Sequence, residues 1–201
     1  SRAHPKESLW YLNDYAYLVG PGDLIAITTW NHPEVNFSST GQISGAGNPS
    51  LTQNQSTPVL INHDGDGYYP YIGRFHAAGL TTDQIRDQLI QKLQRYIREP
   101  QVMVSVAQFR SHTIHRIASQ SAGTIIPLND QPLSLLTVAS AGGSADTGHI
   151  FVIRGSAMDP RIFMLNAKSP ANLLIADKFK LYPNDIVYIP MMDQNNWNPN
   201  R

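Results

Sequence analysis

The clearest element start in the chain is at Thr81, which lies three residues before Gln84, the spacing of a capping box. From there Ile85, Leu89, Leu93, Tyr96 and Ile97 recur at helical spacing, with Arg, Asp, Gln and Lys between them. Pro100 marks the stop. A helix with one apolar stripe must lie on a sheet or on another helix. Around it the pattern shifts to strand period. Val102, Val104 and Val106 alternate within residues 101–109, and a further strand is expected from Thr113 to Ala118. Leu24–Trp30 is rich in β-branched and aromatic residues and reads as a buried strand. Phe151–Arg154, Ile162–Leu165 and Ile186–Pro190 read as strands too, and Gly123 marks a turn before Ile125 and Ile126. Pro132–Gly143 reads as a short helix, with Pro132 near its first turn and glycine as its stop. Strands, a long helix, strands, a short helix and strands again argue for an α+β fold.

Turn chemistry punctuates this order. Pro21-Gly22-Asp23 precedes the first strand, with Pro fixing φ and Gly allowing φ above zero. Asp64-Gly65-Asp66-Gly67 is expected to form a hairpin turn entering Tyr68–Ile72. Near the end, Pro183-Asn184-Asp185 followed by Ile-Val-Tyr-Ile echoes Pro-Gly-Asp followed by Leu-Ile-Ala-Ile; both read as a turn feeding a core strand, and one such match does not establish a repeat. Residues 36–58 are mostly Ser, Thr, Gly, Asn and Gln and read as a long polar loop. Residues 1–16 read as a lead-in arm and residues 191–201 as a polar tail.

Composition narrows the functional classes. The chain has 201 residues, enough for one generous domain or two small ones. Charged residues make up only 15% of it, and neutral polar residues fill the deficit, which suits an extracytoplasmic protein. Formal net charge is zero and no stretch is rich in Lys or Arg, which argues against nucleic-acid binding and gives no reason to expect attraction to anionic lipid. The absence of cysteine excludes disulfides, thiolate metal sites and cysteine nucleophiles. No apolar run is long enough for a membrane-spanning helix. The chain opens at Ser1 without Met or signal peptide and reads as a mature or trimmed product.

Motifs for catalysis are missing. The sequence has no HExxH, GxSxG, Walker A or GxGxxG-after-strand pattern. His112 and His115 fall in strand-like sequence, where a spacing of three puts them on opposite faces. His32 and Glu34 flank Pro33 and read as a turn rather than an acid–base pair. Residues 62–67 resemble the start of a calcium loop, but its twelfth position is Gly73, where a bidentate Glu is needed; a tight hairpin is the better reading. No catalytic residue, cofactor or metal site is expected.

Several short motifs in order resemble a known family. Tyr17–Glu34 resembles the opening of the polysaccharide biosynthesis/export domain of Wza-like outer-membrane proteins. Asp-Gly, Tyr-Pro-Tyr-Ile-Gly, Ala-Gly-Leu-Thr-Thr-Asp-Gln-Ile-Arg, Tyr-Ile-Arg-Glu and Pro-Gln-Val follow in the same order, and Val106–Ser111 extends the likeness. Residues 112–190 resemble a soluble-ligand-binding β-grasp (SLBB) domain through Pro132-Leu-Ser-Leu-Leu, Ala141-Gly142-Gly143 and Leu181–Pro190. Two departures stand out. Ala118–Gly123 replaces the usual Gly-Glu-Val…Pro-Gly turn, so no ligand contact is carried over to it. Asn184 replaces a glycine, which the turn tolerates because Asn accepts the left-handed region.

The resemblance implies two small mixed domains, an export-type domain over 17–111 and a β-grasp-like SLBB domain over 112–190. It marks Pro21, Gly22, Asp23, Tyr71, Gly73, Phe109, Arg110, Gly142, Gly143 and Asp185 as family-motif positions of structural character. It further implies a periplasmic location at the outer membrane and a ring-like homo-oligomer. The implied partners are an inner-membrane polysaccharide copolymerase and a capsular or exopolysaccharide chain in transit. Members of the family are typically acylated at an N-terminal cysteine, and larger ones add a second β-grasp domain and a C-terminal amphipathic pore helix, so the likeness covers the periplasmic part only. The competing expectations are a monomeric carbohydrate-binding module and, with no acid–base pair behind it, a glycan hydrolase or lyase.

Overall fold

A computed structural model describes residues 15–30, 56–118, 122–141 and 148–190. The fold is α+β, and the chain divides into two compact units, one spanning Ala16–Ser111 and the other formed from His112 onward together with Tyr15.

In the first unit, β1 (Leu24–Trp30) is the middle strand of an antiparallel sheet, flanked by β2 (Thr57–Leu60) and β5 (Gln101–Gln108). The polar loop expected over 36–58 therefore ends in a strand: Thr57 and Pro58 pair with Ile27 and Ala26. Residues 36–55 of that stretch lie outside the described residues. Between these strands, β3 (Asp66–Tyr69) and β4 (Gly73–His76) form a hairpin. Its turn is Pro70-Tyr71-Ile72, not the Asp64–Gly67 segment expected from the sequence. That segment instead carries the chain from β2 to β3. The Asn62 side-chain oxygen accepts from the N–H groups of Asp64 and Asp66, both at 3.0 Å, an Asx turn that bends the backbone without a hairpin.

Helix α1 (Thr82–Leu93) starts as the spacing predicts. Thr81 accepts from the Gln84 N–H, and the Gln84 side chain accepts from the Thr81 N–H. Ile85, Leu89 and Leu93 are buried with Ile25, Ile27, Phe75 and Val102 in one core. The helix ends at Leu93, with Gln94 as C-cap, well before Pro100. Tyr96 consequently lies in the following turn and is exposed, while Ile97 still packs against the core.

The second unit is a five-stranded sheet in the order β7 (Thr124–Pro127), β6 (Thr113–Ala118), β10 (Ile186–Ile189), β8 (His149–Ser156), β9 (Asp159–Asn166). Its first and last strands, β6 and β10, are parallel neighbours at the centre, and all other pairs are antiparallel. Counted within the unit, the order is 2-1-5-3-4, the β-grasp arrangement. Two helices cover one face. Helix α2 (Leu135–Ser140) begins one residue after Ser134, whose hydroxyl accepts from the Thr137 N–H. Pro132 thus precedes the cap and does not sit in the first turn. Helix α3 (Pro170–Lys178) has no counterpart in the sequence reading. Ile114, Leu135, Val138, Val152, Ala176, Phe179 and Val187 form the core beneath them.

Candidate functional site

Two buried carboxylates organise the two units, and both follow from the same four-residue device. In Gly20-Pro21-Gly22-Asp23 the proline pre-sets φ, and Gly22 takes φ 95°. The Asp23 N–H donates to the Gly20 carbonyl at 3.1 Å, and the Asp23 carboxylate accepts back from the Gly20 N–H at 3.0 Å. In Tyr182-Pro183-Asn184-Asp185 the same pair of bonds joins Asp185 and Tyr182, at 3.1 and 2.7 Å, with Asn184 at φ 69°. Each aspartate is fully buried and stands directly before its core strand. The echo between the two ends of the sequence is therefore a shared turn geometry.

The donors that complete each carboxylate differ. Asp23 accepts from the Tyr17 hydroxyl at 2.7 Å, from the N–H groups of Arg110 and Ser111 at 2.8 Å each, and from the Ser111 hydroxyl at 2.8 Å. Burial pushes this carboxyl up, but the hydrogen bonds from Tyr17, Arg110, Gly20 and Ser111 outweigh it and hold its pKa below the ordinary aspartate value. Phe109 stacks edge-on against Tyr17, with ring centroids 4.8 Å apart, which walls this cluster. Arg110 contributes its backbone N–H, and its side chain is exposed.

Asp185 instead faces Arg154, whose guanidinium donates through Nε at 2.9 Å and Nη2 at 2.8 Å. That bidentate fork also stacks on Tyr182, 3.9 Å from the ring centroid, and lies near Phe179 and Phe163. Arg154, Tyr17 and Ser111 were not marked by sequence reasoning. A buried Asp at the head of a strand needs donors, but nothing local in the sequence says which distant residues supply them.

Tyr71 and Gly73 lie at the β3–β4 turn, each at φ 68°. Tyr71 tilts against Tyr96, the residue left outside the helix, with centroids 5.9 Å apart. Their exposures of 54% and 58% leave both rings available to a ligand. At the base of the same hairpin Asp66 holds Arg74 at 2.7 Å and His76 at 2.9 Å. The bond from His76, followed by the Arg74 bond and charge, lowers the Asp66 pKa against a burial effect that raises it. Gly142 and Gly143 lie outside the described residues. His115 is exposed on β6, and His112 lies just before that strand. Among the described residues no group of three His, Asp or Glu side chains is placed to hold a metal, and no helix is long and apolar enough to cross a membrane.

The chemistry of this arrangement is structural. Asp23 receives five donors and Asp185 three, so neither carboxylate is offered to a substrate. The Tyr71–Tyr96 pair is exposed.

Residues 12–107 match the family described as polysaccharide biosynthesis/export protein. Relatives with this likeness are named as export proteins. The chain is 27% identical over 175 residues to the EPS I polysaccharide export outer membrane protein EpsA of Ralstonia nicotianae, covering 79% of this chain and 45% of the relative. It is 24% identical to EpsA of Ralstonia solanacearum, covering 86% of this chain and 71% of that protein. It is 33% identical over 139 residues to the capsule polysaccharide export protein BexD of Haemophilus influenzae, covering 68% of this chain and 34% of BexD. The match thus spans less than half of two of these three relatives. The resemblance read from Tyr17–Ser111 holds.

Proposed function

We propose that this chain is the periplasmic part of a subunit that assembles with its own copies into a ring-like outer-membrane channel, through which capsular polysaccharide or exopolysaccharide leaves the cell. The observation that carries this reading is the family match over residues 12–107, together with relatives named for export of both kinds of polymer. In this reading the role is conduction without catalysis, and the two committed carboxylates are consistent with it. The partners are an inner-membrane polysaccharide copolymerase and the glycan in transit. The β-grasp arrangement of the second unit supports its assignment as the SLBB domain over 112–190.

A conduit for glycan needs weak, repeated contacts. Tyr71 and Tyr96 supply flat apolar faces for the C–H side of a sugar ring and hydroxyls for its edge. The same pair favours a second reading, a monomeric carbohydrate-binding module. Mass separates the two. Light scattering on the full-length protein, extracted from membranes in detergent, is expected to give a particle of several subunits. A strictly monomeric particle would leave the binding-module reading standing and remove the channel.

A further inference from the structure

On the face of the five-stranded sheet turned away from α2 and α3, each of the five strands presents at least one apolar side chain. The strand registers place Ile125, His115, Ile186, Ile153 and Ile162 side by side in one row, from β7 to β9. The next row reads Ile117, Tyr188, Phe151 and Met164. Residues of opposite parity, such as Ile114, Val152 and Val187, are buried under the helices, and Arg116 donates from that side to the Val138 carbonyl of α2 at 3.0 Å. The outward assignment therefore follows from strand alternation and from burial together. Ile125 is 62% exposed, Ile162 and Met164 63% each, Ile117 40% and Tyr188 37%. Neither row contains Asp, Glu, Lys or Arg.

We propose that this sheet face is a contact surface for a second copy of this chain. The proposal rests on the self-assembling reading above and names the surface that it uses. Size is the first argument. The exposed parts of these side chains amount to roughly 500 Å², as large as the biggest apolar patches of ordinary monomers and more than half of the ~800 Å² that each partner gives to a stable interface. Chemistry is the second. Seven of the nine side chains in the two rows are Ile, Phe or Met, with His115 and Tyr188 the polar members, and a face without Asp, Glu, Lys or Arg offers nothing to steer or select a charged partner. The chain itself has a formal net charge of zero, so its copies approach without mutual repulsion.

Sedimentation velocity on the 201-residue chain, from low to high micromolar concentration, tests this. The wild type is expected to associate with rising concentration. The double variant Ile162→Glu/Met164→Glu, at two well-exposed positions of β9, is expected to weaken association at least tenfold with an unchanged circular dichroism spectrum. Ile125→Glu, on the opposite edge strand β7, is expected to do the same and serves if the double variant fails to fold. Leu174→Glu, exposed on the helix α3 that covers the other face, is expected to change nothing. A wild-type chain that stays monomeric throughout overturns the proposal. Association undiminished in the β9 and β7 variants overturns it too, while leaving self-assembly through another surface in place. Association through this face in a protein whose deletion leaves polysaccharide export intact would uphold the surface and remove the export role.

Discussion

Asp23 concentrates five hydrogen bonds on one buried carboxylate, tying the start of β1 to Tyr17 and to the backbone at Arg110 and Ser111. Asn in its place keeps the shape but turns an NH₂ toward groups that are themselves donors. Asp23→Asn is expected to cost about 3 kcal/mol in urea denaturation, the scale of hydrogen bonds to a charged group lost in a buried site. The pH dependence has a definite sign. The folded pKa of Asp23 is depressed, so its contribution is complete above the unfolded value of about 3.9 and is lost as pH falls through the lower folded value. Wild type and Asp23→Asn should therefore converge in stability in strong acid and differ fully at neutral pH. In the second unit the corresponding carboxylate is held by Arg154, and Asp185→Ala leaves that guanidinium buried without its partner. A loss of about 3–5 kcal/mol is expected. Asn184, at φ 69°, should accept Gly with little change and lose about 1 kcal/mol on replacement by Ala, measured by the same denaturation.

Helix α1 offers a test of boundaries. Thr81→Ala removes the capping box and should cost about 1 kcal/mol. Leu89→Ala opens a cavity in the core and should cost about 2–5 kcal/mol, whereas Tyr96→Ala, outside the helix and exposed, should stay within about 0.5 kcal/mol. The start of this helix was legible because capping is a local, side-chain-to-backbone event. Its end was not, because Tyr96 and Ile97 continue the spacing after the backbone has left the helix. Helix α3 escaped for a related reason: only Ala176 is buried, Leu173 and Leu174 are exposed, and no apolar stripe announces it. The β3–β4 turn was hidden by Tyr71, an aromatic residue that reads as strand but occupies the left-handed region.

At the scale of the molecule, the sequence pattern indicates α+β with one long and one short helix, and the ordered motifs point to the export family. The pattern does not reveal which strands are neighbours. The parallel pairing of β6 with β10 joins the first and last strands of the second unit, and nothing local in either strand encodes that partner. The donors to Asp23 and Asp185 were illegible for the same reason, since Ser111 and Arg154 reach them only through the fold. The outer face became visible only when the registers aligned exposed and half-buried residues from five strands into two rows. The central claim remains the export of a surface polysaccharide, and its most direct test is the polymer itself. In a strain lacking this gene, with glycan synthesis intact, surface polysaccharide measured by immunoblot of whole cells is expected to fall by at least tenfold and to return when the gene is restored. Undiminished surface polysaccharide in that strain would contradict the account.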